Sequence, residues 1–458
     1  MFRYSLVLLI VIKNMFQITT KDYIIMSNIT MISIIGILSW PNDIKEITFY
    51  QLYILQGYSL SITYNYVGLY ISLVLDILIW ISIIYESRFI QIVYLFYIIN
   101  NIFFSCNDFI SLSLLYELQT IPLLLLINLG YKHNGVIVSM LMMKGVGISN
   151  ILVVIYNLIS GFLLYNSFYH IYFIHNIYNI NHNIYCIGRS LSINHIYIIL
   201  CIIVSGFIKL SIFPFHIWLG FVHVEAPTVG SILLAGVSLK TGFFIHFNLI
   251  HSFLFLPHTL IYRIVLIILI GIVCHSLNIY YQIDSKRWIA LYSIIHMNLY
   301  YIILFIILTN ITTFHNIVYR FIILVVVYGM IGHSFISGGL FLMIGYIYDI
   351  TNNKNLFTFH NNILSSSIYF LLFMILLANS SFPLTALFLY ELFSFLLFTH
   401  LNIYLSLLLL TFSCSNLLSS LYIFYKYLYQ QFHYYCNDFL LIFLLLPILS
   451  ICLIPYLF

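Results

Sequence analysis

Apolar runs without alternation are the feature that most constrains the fold of this chain. Segments 264–274, 321–327 and 368–378 place apolar residues in succession, with no alternation between apolar and polar side chains. A bilayer core satisfies no backbone polar group, so a spanning segment must be an α-helix or part of a closed β-barrel. Barrel strands alternate apolar and polar residues, so these runs indicate helices. With 63% hydrophobic and 6% charged residues, the sequence predicts an all-α integral membrane protein.

Segments of about 20 apolar residues predict about 14 transmembrane helices. A polar insertion at 165–194, rich in Asn, His and Tyr, is expected to lie outside the hydrocarbon and within the first of two central halves. The predicted domains are N-terminal helices 1–110, a first half 111–250, a second half 251–400 and C-terminal helices 401–458. The predicted helices lie near 4–20, 23–40, 66–85, 89–114, 115–130, 136–164, 195–219, 227–250, 260–281, 288–309, 317–347, 364–399, 403–429 and 438–457.

Two prolines, Pro214 and Pro383, interrupt long apolar stretches. A proline removes a backbone hydrogen bond and opens a helix locally. In lipid, such a break is tolerated only where protein or a water-filled cavity satisfies the freed groups. Because broken helices mark the ion path in transporters, the two prolines predict two broken helices beside such a path.

Four charged residues lie within apolar or small-residue surroundings: Glu117, Lys209, Lys240 and Glu391. A charge at the bilayer centre costs at least ~2.5–3.5 kcal/mol, so each one needs an explanation. The structural alternatives are interfacial carboxylates for the two glutamates and a lysine that snorkels to the headgroups for Lys209. The neighbouring prolines, and the apolar run that continues past Glu391, favour internal positions and a role in moving protons.

Two histidines, His296 and His333, also lie amid apolar or small residues. A buried histidine is more often a core residue than a relay, but its ordinary pKa near 6.5 suits proton transfer. The lysines on other predicted helices favour the relay. We therefore expect a lateral proton path, in which separation of a Glu117–Lys209 ion pair releases a proton towards Lys240 and His296. Asp76 and Lys144 also lie in apolar surroundings, and the sequence assigns them no role.

Several other classes of function are disfavoured. The net charge of +4 is spread thinly, without a basic cluster, so nucleic acid is not expected as a partner. The seven cysteines show no C-x-x-C spacing. His216, His223 and Glu225 are an alternative set of metal ligands, but zinc sites usually have a tighter arrangement. We therefore predict no metal site, and a loop beside the broken helix that Glu225 helps to hold or through which it relays charge.

Segment 207–242, FIKLSIFPFHIWLGFVHVEAPTVGSILLAGVSLKTG, resembles the antiporter-like membrane subunits of respiratory complex I. Those subunits carry H-x-W-L followed by H-V-E-A-P, and Lys209 and Lys240 fall on their two central lysines. Three more segments are similar: YELQTIP carries Glu117, QIDSKRWIALYSIIHM carries His296, and NSSFPLTALFLYE carries Glu391. The resemblance covers roughly residues 110 to 400.

The resemblance implies two inverted five-helix repeats with extra helices at the ends, and one broken helix in each repeat. It also implies a proton-translocating membrane-arm subunit of NADH:ubiquinone oxidoreductase. FMN, iron–sulfur clusters and ubiquinone would then belong to partner subunits, and this chain would bind no cofactor. Subunits of types 2 and 5, which usually carry lysine in place of Glu391, would be its neighbours, together with lipids. A stand-alone or Mrp-type cation/proton antiporter and a structural membrane subunit are the alternatives.

The composition also bears on location. Residues with A/T-rich codons (Phe, Ile, Tyr, Asn and Leu) are abundant, whereas Gly, Pro and Arg are scarce. This bias is typical of an organelle genome. Together with the resemblance, it predicts a multi-pass protein of the mitochondrial inner membrane.

Overall fold

The computed structural model describes eleven stretches of the chain, and nearly all of them are helical. They are residues 47–55, 58–64, 66–106, 108–132, 140–175, 193–249, 256–309, 316–351, 366–383, 385–401 and 403–428.

One antiparallel hairpin precedes the helices in the described part of the chain. Strand β1 (Ile47–Leu55) pairs with β2 (Tyr58–Tyr64), with Ile47 opposite Tyr64. The all-helical prediction omitted this hairpin. Both strands are rich in Ile, Thr and Tyr, whose β-branched and aromatic side chains favour the extended backbone.

The helices follow in chain order, and a π-helical turn, Leu234–Ser238, joins α8 to α9. They are α1 (Tyr66–Tyr85), α2 (Ile90–Ser105), α3 (Phe109–Leu118), α4 (Thr120–Lys132), α5 (Met140–His175), α6 (Ile193–Lys209), α7 (Ile217–Glu225), α8 (Thr228–Leu233), α9 (Leu239–Asn248), α10 (His258–Asn278), α11 (Ser285–Thr309), α12 (Asn316–Thr351), α13 (Ser366–Asn379), α14 (Ala386–Leu401) and α15 (Ile403–Leu428).

Among the described residues, 7 helices are long and apolar enough to cross a membrane. The most apolar stretches of segments Thr228–Asn248 and Ser285–Ile306 are wholly buried. These two segments therefore form the centre of the bundle. Only 33% of the most apolar stretch of segment Gly145–Ile171 in α5 is buried, so this helix lies at the periphery of the bundle. Predicted spans 4–20, 23–40 and 438–457 lie outside the described residues, so the count of fourteen stays a prediction.

Two predicted boundaries are wrong. The sequence predicted one helix over 89–114, but α2 ends at Ser105 and α3 begins at Phe109. The Ser105 hydroxyl donates to the Asn101 carbonyl at the end of α2, so polar groups interrupt the run there. The polar insertion was predicted from residue 165, but α5 continues to His175. Phe168 is fully buried and its ring lies 4.6 Å from that of Phe109, which explains why the helix extends.

The two helix breaks lie where the prolines predicted them, and they have the same cap. Ser211 and Ser381 have φ values of 53° and 54°, in the left-handed region that side chains other than glycine rarely adopt. The N–H of Ser211 donates to the Ile208 carbonyl, and the next N–H reaches back five residues, as in a Schellman cap. Ser381 and its neighbours make the equivalent bonds. Both breaks therefore share a left-handed serine cap, which lies two or three residues before the proline.

We predict that Ser211→Val will destabilise the protein and Ser211→Gly will not. A left-handed conformation costs an L-residue about 1–2 kcal/mol, and β-branching adds to that cost, whereas glycine adopts it freely. Thermal unfolding of the purified protein measures the effect. Equal unfolding temperatures for the two variants would contradict this account of the cap.

Candidate functional site

Lys209, the last residue of α6, is buried and lies between three helices. Its side chain is 2% exposed. The Nζ donates to Oδ1 of Asn157 on α5 at 3.0 Å and lies 4.6 Å from the ring centre of Tyr116 on α3. Glu117 is near enough to act on Lys209 electrostatically. None of the ion pairs within 4 Å among the described residues joins these two, so the expected direct pair is not formed in this conformation.

Lys240, near the start of α9, is buried directly after the π-helical turn. The Leu239 N–H bonds to the Leu234 carbonyl, five residues back, instead of four as in an α-helix. The Nζ of Lys240 lies 2.5 Å from the Ala235 carbonyl and 3.0 Å from Nδ1 of His333 on α12. The lysine is thus held between its own widened turn and a neighbouring helix.

His333 continues this line of polar groups towards α11 and α14. Its ring centre lies 5.4 Å from that of His296, and both side chains are fully buried. Nε2 of His296 contacts the Asn379 carbonyl at 3.2 Å, and Nδ1 lies 3.7 Å from Oε1 of Glu391. Four helices therefore contribute to one buried series: α9, α12, α11 and α14.

Glu391 is the last residue of this series, and it lines a cavity. Its other carboxylate oxygen accepts a hydrogen bond from the Ser381 hydroxyl of the second helix break. The cavity has a volume of about 330 Å³, and Ser380, Ser394 and Ser413 also line it. Whereas His296 is fully buried, the Glu391 side chain is 12% exposed. The Glu391 side chain is therefore the most accessible of the series, and its Oε1 atom is itself buried.

These contacts bring six predicted residues, together with Tyr116 and Asn157, into two groups. The Lys209 cluster comprises Tyr116, Glu117, Asn157 and Lys209. The Lys240–Glu391 chain comprises Lys240, His333, His296 and Glu391. The two groups approach each other where α9 packs against α6. The helices are close there, since a Cβ added to Gly242 on α9 would lie 3.2 Å from Cβ of Lys209 on α6.

The remaining predicted residues lie on or beside α7. The loop predicted for this segment is wrong, because Ile217–Glu225 is helical and only Ala226 and Pro227 separate it from α8. The ring of His216 is 4.1 Å from that of His275 on α10, and the fully buried His223 stacks on Phe341 at 4.4 Å. The Glu225 carboxylate packs against Gly145, where an added Cβ would lie 2.7 Å from Oε1. Within the described residues, no group of three His, Cys, Asp or Glu side chains could hold a metal ion.

Sequence reasoning assigned no role to Asp76 and Lys144. Asp76 on α1 is 1% exposed. Lys144 is in α5, and its side chain lies outside the described part of the structure. Neither position indicates a role.

Three further polar residues of the bundle were missed. Asn157 holds Lys209, and His246 on α9 contacts carbonyls of Gly242 and Ile202 at 2.7 and 2.8 Å. Lys286, which is 5% exposed, donates to the Ala226 carbonyl at 2.7 Å. Each is a polar residue in or beside an apolar run, so the sequence alone could have indicated all three as buried polar residues.

The fold and the buried groups together define a class of protein. A polytopic helical protein that joins lysine, histidine and glutamate side chains across several helices has the features of an ion-translocating membrane protein. The family comparison agrees. Residues 106–419 match the family model of the NADH:quinone oxidoreductase/Mrp antiporter transmembrane region. This match covers more than half of the chain, and the chain belongs to that family.

Curated relatives include proteins named NADH-ubiquinone oxidoreductase chain 4. The one from Dictyostelium citrinum is 34% identical over 305 residues, which is 64% of this chain and 66% of the relative. The one from Acanthamoeba castellanii is 37% identical over 191 residues, which is 40% of this chain and 35% of the relative. This chain therefore spans between about one third and two thirds of the length of these relatives.

A solved structure has the same fold. It is a chain of "Respiratory complex I from Thermus thermophilus with bound NADH", with a TM-score of 0.79 and 16% sequence identity. The match covers 95% of this chain and 91% of that one. At this level of identity the likeness concerns the fold alone.

We predict that Gly332→Ala will destabilise the protein by about 1–3 kcal/mol, as overpacking does. Gly332 precedes His333, and an added Cβ would lie 2.5 Å from Cβ of Ala386, so α12 and α14 would be forced apart. Thermal unfolding measures the change. Gly147→Ala on α5 is the matched control, since a Cβ there meets nothing within 4 Å. A similar unfolding temperature for both variants would contradict the close approach of α12 and α14.

Proposed function

We propose that this chain is the subunit 4 type of the proton-translocating membrane arm of NADH:ubiquinone oxidoreductase, respiratory complex I. Curated relatives with this name support the assignment. Glu391 also supports it, since subunits of types 2 and 5 usually carry lysine at that position. The buried Lys240–Glu391 chain is the single observation that carries the proposal.

Each member of the Lys240–Glu391 chain can bind and release a proton. A neutral imidazole carries a proton on one ring nitrogen and accepts one on the other. A proton that passes from Lys240 to Nδ1 of His333 therefore allows another to leave from Nε2 towards His296. Nε2 of His333 makes no hydrogen bond with the described residues, so this step needs a bridging water. His296 then exchanges with Glu391. The 3.7 Å between Nδ1 of His296 and Oε1 of Glu391 exceeds hydrogen-bond distance, so this step needs closer approach or a bridging water.

The energy required is within the range that such groups supply. Moving one proton against roughly 180 mV costs ~4 kcal/mol. This corresponds to a change of about three pKa units in a carrier group. Burial and the gain or loss of a charged neighbour produce changes of that size. Small movements of the buried helices are therefore sufficient to load and unload the carriers.

The cavity beside Glu391 is the proposed point of exchange with the exterior of the bundle. Glu391 is the least buried member of the chain of carriers, and the cavity beside it is lined mainly by leucine and phenylalanine side chains together with four serines. Hydroxyls can donate and accept hydrogen bonds, so they can pass a proton to or from the carboxylate. The Lys209 cluster would supply the coupling at the other end.

The partners and the location follow from this proposal. NADH oxidation and quinone reduction would take place in partner subunits that hold FMN, iron–sulfur clusters and ubiquinone, and this chain would bind none of these. Its neighbours would be subunits of types 2 and 5 and lipids, in the mitochondrial inner membrane. The predicted organisation into two inverted halves, 111–250 and 251–400, is part of the same proposal.

A cation/proton antiporter subunit of Mrp type is the second candidate. The description of the matching family model names both groups of proteins, and this observation favours keeping it. An antiporter would exchange Na⁺ for H⁺ without NADH, whereas the proposed pump subunit would not.

We predict that Lys240→Met and Glu391→Gln in the native complex will each lower NADH-driven proton uptake by sealed vesicles by about tenfold or more. Each change removes a proton carrier while keeping a side chain of similar size. A pH-sensitive dye measures uptake, and NADH:ubiquinone reductase activity is recorded in parallel. Arg88→Gln is the control, because the Arg88 side chain is 58% exposed and outside the chain of carriers.

Unchanged proton uptake per NADH in both variants would contradict the role of the Lys240–Glu391 chain. Failure of the subunit to copurify with NADH:ubiquinone reductase activity, together with Na⁺-driven proton exchange by the subunit alone, would favour the antiporter.

A further inference from the structure

Asn157 is a polar residue at the centre of the α5 face that meets Lys209. It is 5% exposed, and α5 otherwise presents mainly apolar side chains around it. We propose that Asn157 is a positioning residue that holds Lys209 away from Glu117, so that Lys209 alternates between a neutral and a charged acceptor. This inference rests on the proposed function, since it concerns how the Lys209 cluster works.

The orientation of the Asn157 amide supports this role. Its Nδ2 donates to the Val153 carbonyl, one turn earlier on α5, at 2.8 Å. Because an amide has donors on one side and an acceptor on the other, this bond turns Oδ1 towards Lys209. The 3.0 Å contact between Nζ and Oδ1 is therefore a defined donor–acceptor pair.

Tyr116 is the second residue that contacts the ammonium group of Lys209. The Nζ of Lys209 lies 4.6 Å above its ring centre, a distance suited to a cation–π contact. The Tyr116 hydroxyl donates to the Ser205 carbonyl on α6 at 3.2 Å, which fixes the ring. An ammonium group in this position is held by a neutral amide and an aromatic face, without a carboxylate.

Glu117 offers the alternative acceptor close by. Its carboxylate packs against Gly161, which lies one helical turn after Asn157 on the same face of α5. Glu117 also follows Tyr116 directly, so its side chain leaves α3 about 100° further round the helix. A change in side-chain rotamers of Lys209 and Glu117 would exchange one acceptor for the other.

Gly161 makes room for this exchange. A Cβ at that position would lie 2.2 Å from Oε1 of Glu117, so a larger residue would displace the carboxylate. On this face of α5, Asn157 is thus an acceptor for Lys209, and the absence of a side chain at Gly161 leaves space for the Glu117 carboxylate. This pairing gives the Lys209 cluster two discrete arrangements, which a coupled pump requires.

The test uses the native complex with Asn157→Leu or Asn157→Asp. Leucine keeps the size and removes the acceptor, so Lys209 should move into a direct ion pair with Glu117. Aspartate keeps the acceptor and adds a charge, so Lys209 should stay at position 157. Both variants should take up fewer protons per NADH than the wild type, and structures of the two complexes should show Lys209 in different places.

Asn150→Leu is the matched control, since Asn150 lies on α5 and bonds to Asn128 on α4 at 2.6 Å, away from Lys209. This variant should pump normally. If Lys209 keeps its position in Asn157→Leu and uptake per NADH equals that of the wild type, the inference is wrong. If wild-type vesicles show no NADH-linked uptake, the proposed function itself fails.

Discussion

A charged group in hydrocarbon finds no water, so a buried charged side chain must have its partners within the protein. The arrangement of the central helices depends on this constraint. Lys240 meets it with a carbonyl from the π-helical turn and a nitrogen of His333. Since His333 must lie within hydrogen-bond distance of Lys240, α12 packs closely against α8 and the π-helical turn that precedes Lys240. Glycines at the helix contacts allow that approach.

The two helix breaks share a cap but serve the buried groups differently. At the first break, α6 ends with Lys209 itself, so the break places a charge at a helix end inside the bundle. At the second break, the freed Asn379 carbonyl meets His296, and the Ser381 hydroxyl meets Glu391. The second break thus supplies two polar groups to the Lys240–Glu391 chain. The backbone of a broken helix takes the place that water would have in a soluble protein.

Much of this could be predicted from the sequence, because lipid makes buried charge costly and helix breaks rare. Apolar runs predicted the helices and prolines predicted the breaks. Isolated charges and histidines predicted every member of the two groups except Tyr116 and Asn157. The partner of Lys209 could not be predicted, since it depends on which faces of α3, α5 and α6 meet. The π-helical turn and the serine caps were missed because their residues are ordinary in helices. The hairpin was missed because only spans long enough to cross a bilayer were counted.

The central claim is that Lys240, His333, His296 and Glu391 form one continuous polar connection inside the membrane. The most direct test is a cryo-electron microscopy structure of the native assembly that resolves side chains and ordered water. The account predicts hydrogen-bonding groups, from protein or water, at every step from Lys240 to the cavity beside Glu391. An apolar side chain inserted between His333 and His296, or a Lys240 side chain directed towards lipid, would contradict it.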